Sequence, residues 1–293
     1  GRMLEQIEAL VEQEAPDWLL VYGDTNSTLA GALAAAKLHV PVAHVEAGLR
    51  SHNPAMPEEV NRVLTDRVAT LLCCPTREAI ENLGREGFPF PCSGRDRQRI
   101  ENTGDVMYDA TRFYQARARE SVGLDHWGLA EGGYALCTLH RAENTNDGAR
   151  LEAILSALRT INAQLPVVLP LHPRTRGLVE ARGLADRLEG LTVLEPVPYL
   201  EMQRLEMGAR TILTDSGGVQ KEAYFYGVPC VTLRDETEWR ETVELGWNRL
   251  VGADTQRILD AFERAEAPAA TTEAPYGNGD AATRIVQLLM DAG

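Results

Sequence analysis

Short apolar runs alternate with longer stretches in which apolar positions recur every three or four residues, and the pattern holds from residue 18 to residue 233. Most of them rich in Val, Ile and Leu, the runs predict strands at 18–22, 42–46, 69–74, 99–103, 134–139, 167–171, 192–195, 210–214 and 229–233. The intervening periodicity predicts helices over 27–37, 58–68, 77–85, 149–164, 201–207 and 219–226. Strands apolar on both faces and separated by helices belong to parallel sheets covered on both sides. The expected fold is therefore α/β, with two doubly wound, Rossmann-like domains. A glycine-rich stretch containing a tryptophan, 123–133, places their boundary at 122/123, giving domains 1–122 and 123–276.

Composition narrows the class. With 293 residues, 44% of them hydrophobic, the chain can fill two cores. No apolar run is long enough to span a bilayer, so no membrane partner is expected. A net charge of −14 argues against a nucleic-acid partner, which requires a basic face. An anionic ligand must then be held by local donors. The five cysteines lack metal-ligand spacing, so no metal is expected, and their odd number suits reduced thiols in a cytoplasmic protein.

One segment is built for an anion. The 210–214 strand breaks at Asp215-Ser216-Gly217-Gly218 into a helix. Ser216 stands at an N-cap position, and the two glycines let a ligand reach amides that a first helical turn leaves unpaired. Glu222 falls about one turn further on, where a carboxylate can accept hydrogen bonds from ribose hydroxyls. A plain strand-turn-helix connection has the same outline. His140 and His172, however, also end apolar strands, and ligands of open α/β sheets collect at carboxyl ends of strands.

Seven segments, in order, carry a resemblance: Val21-Tyr22-Gly23-Asp24-Thr25, His44-Val45-Glu46-Ala47-Gly48-Leu49-Arg50, Pro57-Glu58-Glu59-Val60-Asn61-Arg62, Asn102-Thr103-Gly104, His140-Arg141-Ala142-Glu143-Asn144, Thr214-Asp215-Ser216-Gly217-Gly218 and Arg234-Asp235-Glu236-Thr237-Glu238. With these the chain resembles the non-hydrolysing UDP-N-acetylglucosamine 2-epimerases over nearly its whole length. The resemblance implies a glycosyltransferase-B-like pair of domains facing across a cleft, a final helix within 277–293 that completes the first domain, a homodimer, and a UDP-sugar substrate. It also implies inversion at sugar C2 by elimination and re-addition of UDP through a 2-acetamidoglucal, a route needing no cofactor.

Such chemistry requires acid and base groups and a clamp for the departing diphosphate. By resemblance, Asp24, Glu46, Glu58 and His140 are the catalytic candidates, and Arg141, His172, Ser216, Gly217, Gly218, Glu222 and Arg234 the UDP-binding ones. Bland roles compete: Asp24 as a helix cap, Glu58 as a complement to its helix dipole, Arg141 as a surface ion-pair residue. Buried in a strand, His44 is expected to be structural.

Two departures stand out. The family opens with a strand and a Gly-Thr-Arg-Pro loop, whereas this sequence begins with a helical pattern, so about half of a nucleotide-binding lobe is expected to be missing ahead of it. A UDP-sugar-binding protein without turnover is the corresponding alternative. Many members continue Thr-Glu-Arg-Pro-Glu, where this chain reads Thr237-Glu238-Trp239-Arg240-Glu241. Trp239 cannot supply a guanidinium, leaving Arg234, Arg240 or Arg249 to compensate. The Thr-Glu-Trp pattern is similar to that of epimerases of modified sugars such as diacetamido-glucuronic acid, the alternative substrate class.

Overall fold

The computed structural model describes residues 1–92, 97–269 and 273–291. The chain divides into two compact units, Gly1–Asp109 with Glu273–Gly293, and Ala110–Thr272. The first contains α1 (Arg2–Glu14), β1 (Leu19–Tyr22), α2 (Asn26–Lys37), β2 (Val42–Val45), α3 (Pro57–Val68), β3 (Leu71–Cys74), α4 (Arg77–Arg85) and β4 (Arg99–Asn102). Then comes α5 (Val106–Ser121), which belongs to both units. The second unit continues with β5 (Ala135–Thr138), α6 (Ala142–Asn146), α7 (Gly148–Asn162), β6 (Val167–Pro170), α8 (Pro173–Ala181), β7 (Thr192–Leu194), α9 (Tyr199–Gly208), β8 (Thr211–Thr214), α10 (Gly217–Tyr226), β9 (Cys230–Thr232), α11 (Arg240–Glu244), β10 (Asn248–Leu250) and α12 (Thr255–Glu263). The last helix, α13 (Ala281–Met290), returns to the first unit.

The division falls at 109/110, not at the 122/123 expected from the glycines. Packing explains the shift: Tyr114 of α5 meets Tyr199 edge to face at 5.8 Å, and the Val122 carbonyl accepts a hydrogen bond from Arg204 Nε. Both contacts tie residues before 123 to the second unit.

Both sheets are parallel. The first has the order β1-β2-β3-β4, and one face buries Ala43, Val45, Leu71 and Cys73 together with Ile285 of α13. Asp109 holds the start of α13 by accepting from the Ala281 and Ala282 amides at 3.2 and 2.8 Å. The second sheet has the order β10-β9-β8-β5-β6-β7, and its strands show why they read as unbroken apolar runs. Ala135, Cys137, Val167, Leu169, Leu213 and Val231 enter one core with α7 and α12, while Leu136, Val168, Ile212 and Cys230 enter another with α9 and α10. Alternate residues are buried on opposite faces, as the period of a strand requires.

Among the described residues, no helix is long and apolar enough to cross a membrane.

Candidate functional site

From β5 the second sheet grows one way through β6 and β7, and the other way through β8, β9 and β10. The order reverses between β5 and β8, and the carboxyl ends of strands flanking such a reversal form a natural ligand crevice. His140 follows β5, Ser216 follows β8, and the Thr138 and Thr214 hydroxyls bridge the two strands at 2.5 Å. His140, His172 and Ser216 line one cavity of about 300 Å³ with Thr138, Pro170, Met202 and other neighbours. Ser216 is the N-cap of α10, and its side chain makes no capping bond to that helix; its own amide donates to Thr214 Oγ1 at 2.9 Å. Amides of the first helical turn have no intrahelical acceptor.

Asp215 builds this corner. Wholly buried, it accepts from the His140 amide at 3.1 Å, the Arg141 amide at 3.0 Å and Asn144 Nδ2 at 3.2 Å. Its Oδ1 lies 3.3 Å from His140 Nδ1, orienting a ring that is otherwise half exposed. Asn144 also donates to the Leu233 carbonyl at 2.9 Å, tying the start of α6 to the end of β9. His172 is more ordinary than its position promised: it is the N-cap of α8, and its Nδ1 accepts from the Arg174 amide at 3.2 Å.

Gly217 has a steric reason to be glycine. A Cβ there would lie 2.7 Å from Glu238 Oε1 and 3.2 Å from Trp239 Nε1. Trp239 is buried, with its ring 3.9 Å from Lys221 Nζ. The family's arginine position is thus filled by an indole packed against the start of α10. Of the three arginines expected to compensate, Arg234 is buried with Nη1 3.1 Å from Glu238 Oε2, and Arg240 and Arg249 are exposed on α11 and β10. Neither Gly218, half-buried in the first turn of α10, nor Arg141, half-buried at the N-cap of α6, nor Arg234 or Glu222 lines the cavity that holds the two histidines. Glu222 lies further along α10 and is 8% exposed.

The first unit assembles its charges differently. Thr25, not Asp24, caps α2, accepting from the Thr28 amide at 3.3 Å. Asp24 instead receives Arg62 Nη2 at 2.5 Å, and Asn61 donates to its carbonyl at 2.8 Å. Arg62 is buried and its Nη1 also binds Glu59 at 2.8 Å. Burial would raise the Glu59 pKa, but the Ser51 amide and Arg62 outweigh it and hold it below the usual carboxylate range. Glu58, in the first turn of the same helix, is half-buried.

Glu46 follows β2 with φ of +73°, in the left-handed region, and its Oε2 lies 3.3 Å from where a Gly23 Cβ would stand. Asp24 and Glu46 therefore emerge from neighbouring strand ends. Beneath them His44 is wholly buried, with Nδ1 2.6 Å from Asp66 Oδ1 and Nε2 2.8 Å from the Gly23 carbonyl. Burial lowers the His44 pKa, but the Asp66 charge and hydrogen bond raise it further, to a net value above the ordinary one. Asp66 also accepts from Arg50 Nη1 at 2.7 Å and the Gly48 amide at 3.1 Å, and Arg50 in turn pairs with Glu86 through Nε and Nη2 at 2.6 and 2.9 Å.

Sequence reasoning assigned no role to Glu59, Arg62, Asp66, Asn144 or Asp215. For α3 a signal existed: Glu59, Arg62 and Asp66 recur at helical spacing on one face, and that face is buried.

The profile of the UDP-N-acetylglucosamine 2-epimerase family matches residues 1–290. The chain belongs to this family. Among curated relatives, the UDP-2,3-diacetamido-2,3-dideoxy-D-glucuronate 2-epimerase of Pseudomonas aeruginosa is 53% identical over 291 residues, 99% of this chain and 79% of the relative. A UDP-N-acetylglucosamine 2-epimerase of Methanocaldococcus jannaschii is 42% identical, over 99% of this chain and 79% of its own length. The solved structure of the M. jannaschii enzyme in complex with UDP-GlcNAc and UDP superposes with a TM-score of 0.89 at 41% identity, covering 99% of this chain and 80% of that one. The fold is thus the family's α/β, glycosyltransferase-B-like one, and the activity class is that of isomerases acting on UDP-sugars.

Proposed function

We propose that the chain inverts C2 of a UDP-linked 2-acetamido sugar by eliminating UDP and adding it back. A base removes the C2 proton, the C–H pair becomes the C1–C2 double bond, and the C1–O bond breaks with its electrons leaving on UDP. A proton then reaches the opposite face of C2 while the diphosphate oxygen rebonds to C1. The observation carrying this reading is the β5/β8 reversal, where His140, His172, Ser216 and the start of α10 surround one cavity suited to a diphosphate. In the proposal Gly217, Gly218 and Ser216 bind phosphate, Arg141 assists, Glu222 holds ribose, and Arg234 supports the site through Glu238. His140 stabilises charge on the departing UDP. Asp24, Glu46 and Glu58 are the acid and base groups, positioned by Arg62 and the strand ends. A homodimer, measurable by sedimentation, belongs to the same proposal.

Turnover in deuterated water tests the chemistry. Solvent deuterium is expected at C2 of the epimerised product, and Asp24→Asn, Glu46→Gln and Glu58→Gln should each slow turnover about a hundredfold with UDP affinity nearly unchanged. Product without C2 label would rule out proton removal. UDP binding without any turnover would select the binding-protein alternative.

Two observations favour a modified sugar over UDP-N-acetylglucosamine itself. The relative that is 53% identical is named for a diacetamido-glucuronate substrate, against 42% for the UDP-N-acetylglucosamine enzyme, and Trp239 stands where many members have arginine. Comparing kcat/KM for the two UDP-sugars decides between them.

A further inference from the structure

β2 lies inside the first sheet, and the residues paired with His44 on its two sides are Val21 and Leu72. An apolar side chain would fill such a place, and a buried ion pair is a poor source of stability beside well-packed hydrocarbon. The imidazole found there reaches one acceptor with each nitrogen, Asp66 Oδ1 at 2.6 Å and the Gly23 carbonyl at 2.8 Å. Asp66 is a carboxylate, since its other oxygen accepts from Arg50 Nη1 at 2.7 Å and from the Gly48 amide at 3.1 Å. Both ring nitrogens therefore carry hydrogen and donate.

The backbone atoms held in this way belong to the turns that carry two candidate acids. Gly23 precedes Asp24 and has φ of +61°. Its amide donates to the Val45 carbonyl at 3.0 Å while its carbonyl accepts from His44, so the peptide leading to Asp24 is gripped at both ends. Gly48 lies two residues beyond Glu46, with φ of +81°, so close to α4 that a Cβ would stand 2.4 Å from the Ala79 carbonyl. Its amide is held by Asp66, and its carbonyl accepts from Asn82 Nδ2 at 3.1 Å. One carboxylate thus fixes both turns, Oδ1 through the imidazole and Oδ2 directly.

We propose that His44 is a positioning residue: its Nε2–H fixes the turn before Asp24, and Asp66, which holds the ring, fixes the turn after Glu46, so that the two carboxylates keep the spacing that proton transfer at C2 requires. This rests on the acid and base roles given to Asp24 and Glu46 above. Being wholly buried, His44 touches no substrate and acts only through the backbone it holds.

Two replacements separate position from packing. His44→Asn puts its amide where Nδ1 stands, within reach of Asp66 but short of Gly23, whereas His44→Gln puts its amide where Nε2 stands, within reach of the Gly23 carbonyl. Both lose the imidazolium, so both should lower the urea midpoint. The kinetic readouts are kcat and solvent-deuterium entry at C2, taken with saturating UDP-sugar and without denaturant. His44→Asn should slow both by about thirtyfold, within the roughly hundredfold that an ångström of misplacement can cost, with KM and UDP affinity held within about twofold. His44→Gln should recover most of that loss without being the more stable variant. Equal rates in the two variants, or rates that follow their stabilities, would make His44 packing alone. A His44→Gln rate about thirtyfold below the native one would by itself overturn the donor role. If the native chain places no deuterium at C2, or Asp24→Asn and Glu46→Gln both keep full rates, the acid and base reading falls and the positioning role with it.

Discussion

Glu46 combines a candidate catalytic carboxylate with a backbone that side-chain-bearing residues avoid. At φ +73° its Cβ crowds the peptide, a cost of about 1 kcal/mol that a glycine would not incur. Glu46→Gly should therefore raise the urea midpoint or leave it unchanged while turnover falls about a hundredfold or more. Lost stability together with retained turnover would reduce Glu46 to a structural residue. Strain of this kind is invisible in sequence, since Glu46 reads there only as an acid ending a strand. Ser216 and His140 were legible because their residue types at strand ends already imply donors. Asp215 was not, since its importance comes from full burial and from partners 74 and 75 residues away. Arg62 was silent for the same reason, meeting Asp24 38 residues upstream.

At the level of elements, the nine expected strands all form, each within a residue or two of its expected ends, and in β2, β3, β5, β8 and β9 every residue is buried, which keeps those runs mostly apolar. The exceptions follow from weak patterning. β10 is three residues, Asn248-Arg249-Leu250, too short and mixed to stand out. α5 runs 16 residues with only Thr111 and Ala118 buried, so no apolar stripe marks it. α3 inverts the usual rule by burying charge. Asp66→Asn should cost about 3–5 kcal/mol, because it takes from buried Arg50 one of its two carboxylate partners and from buried His44 the carboxylate that holds its ring. The pH dependence follows from opposite shifts. The raised His44 contributes stability that is complete below 6.5 and disappears as pH climbs through its elevated value. The depressed Asp66 contributes above 3.8 and loses its share as pH falls through its lowered value. Urea melts across pH should show a plateau between these limits that vanishes in Asp66→Asn; an unchanged plateau would mean the pair contributes nothing.

For the whole molecule, the two series of strands and helices were legible, but the division was displaced because glycines mark where the chain turns and not where its contacts change. α13 matters most at this scale. Ile285, Leu288 and Leu289 pack on the face formed by Ala43, Val45, Leu71 and Cys73. At about 1–3 kcal/mol for each buried aliphatic side chain, removing residues 273–291 should consume much of a typical domain's stability of about 5–15 kcal/mol. Hydrogen exchange should then speed up in β2 and β3 while β5 and β8 stay protected; uniform loss would mean that the units unfold together. A ribosome delivers this chain amino end first. The strands of the first unit are therefore made early and then left with one apolar face uncovered until the last helix emerges, by which time every residue of the second unit has been synthesised. Throughout that interval the early sheet is exposed to other nascent chains, and the cell's holding chaperones have a defined surface to shield.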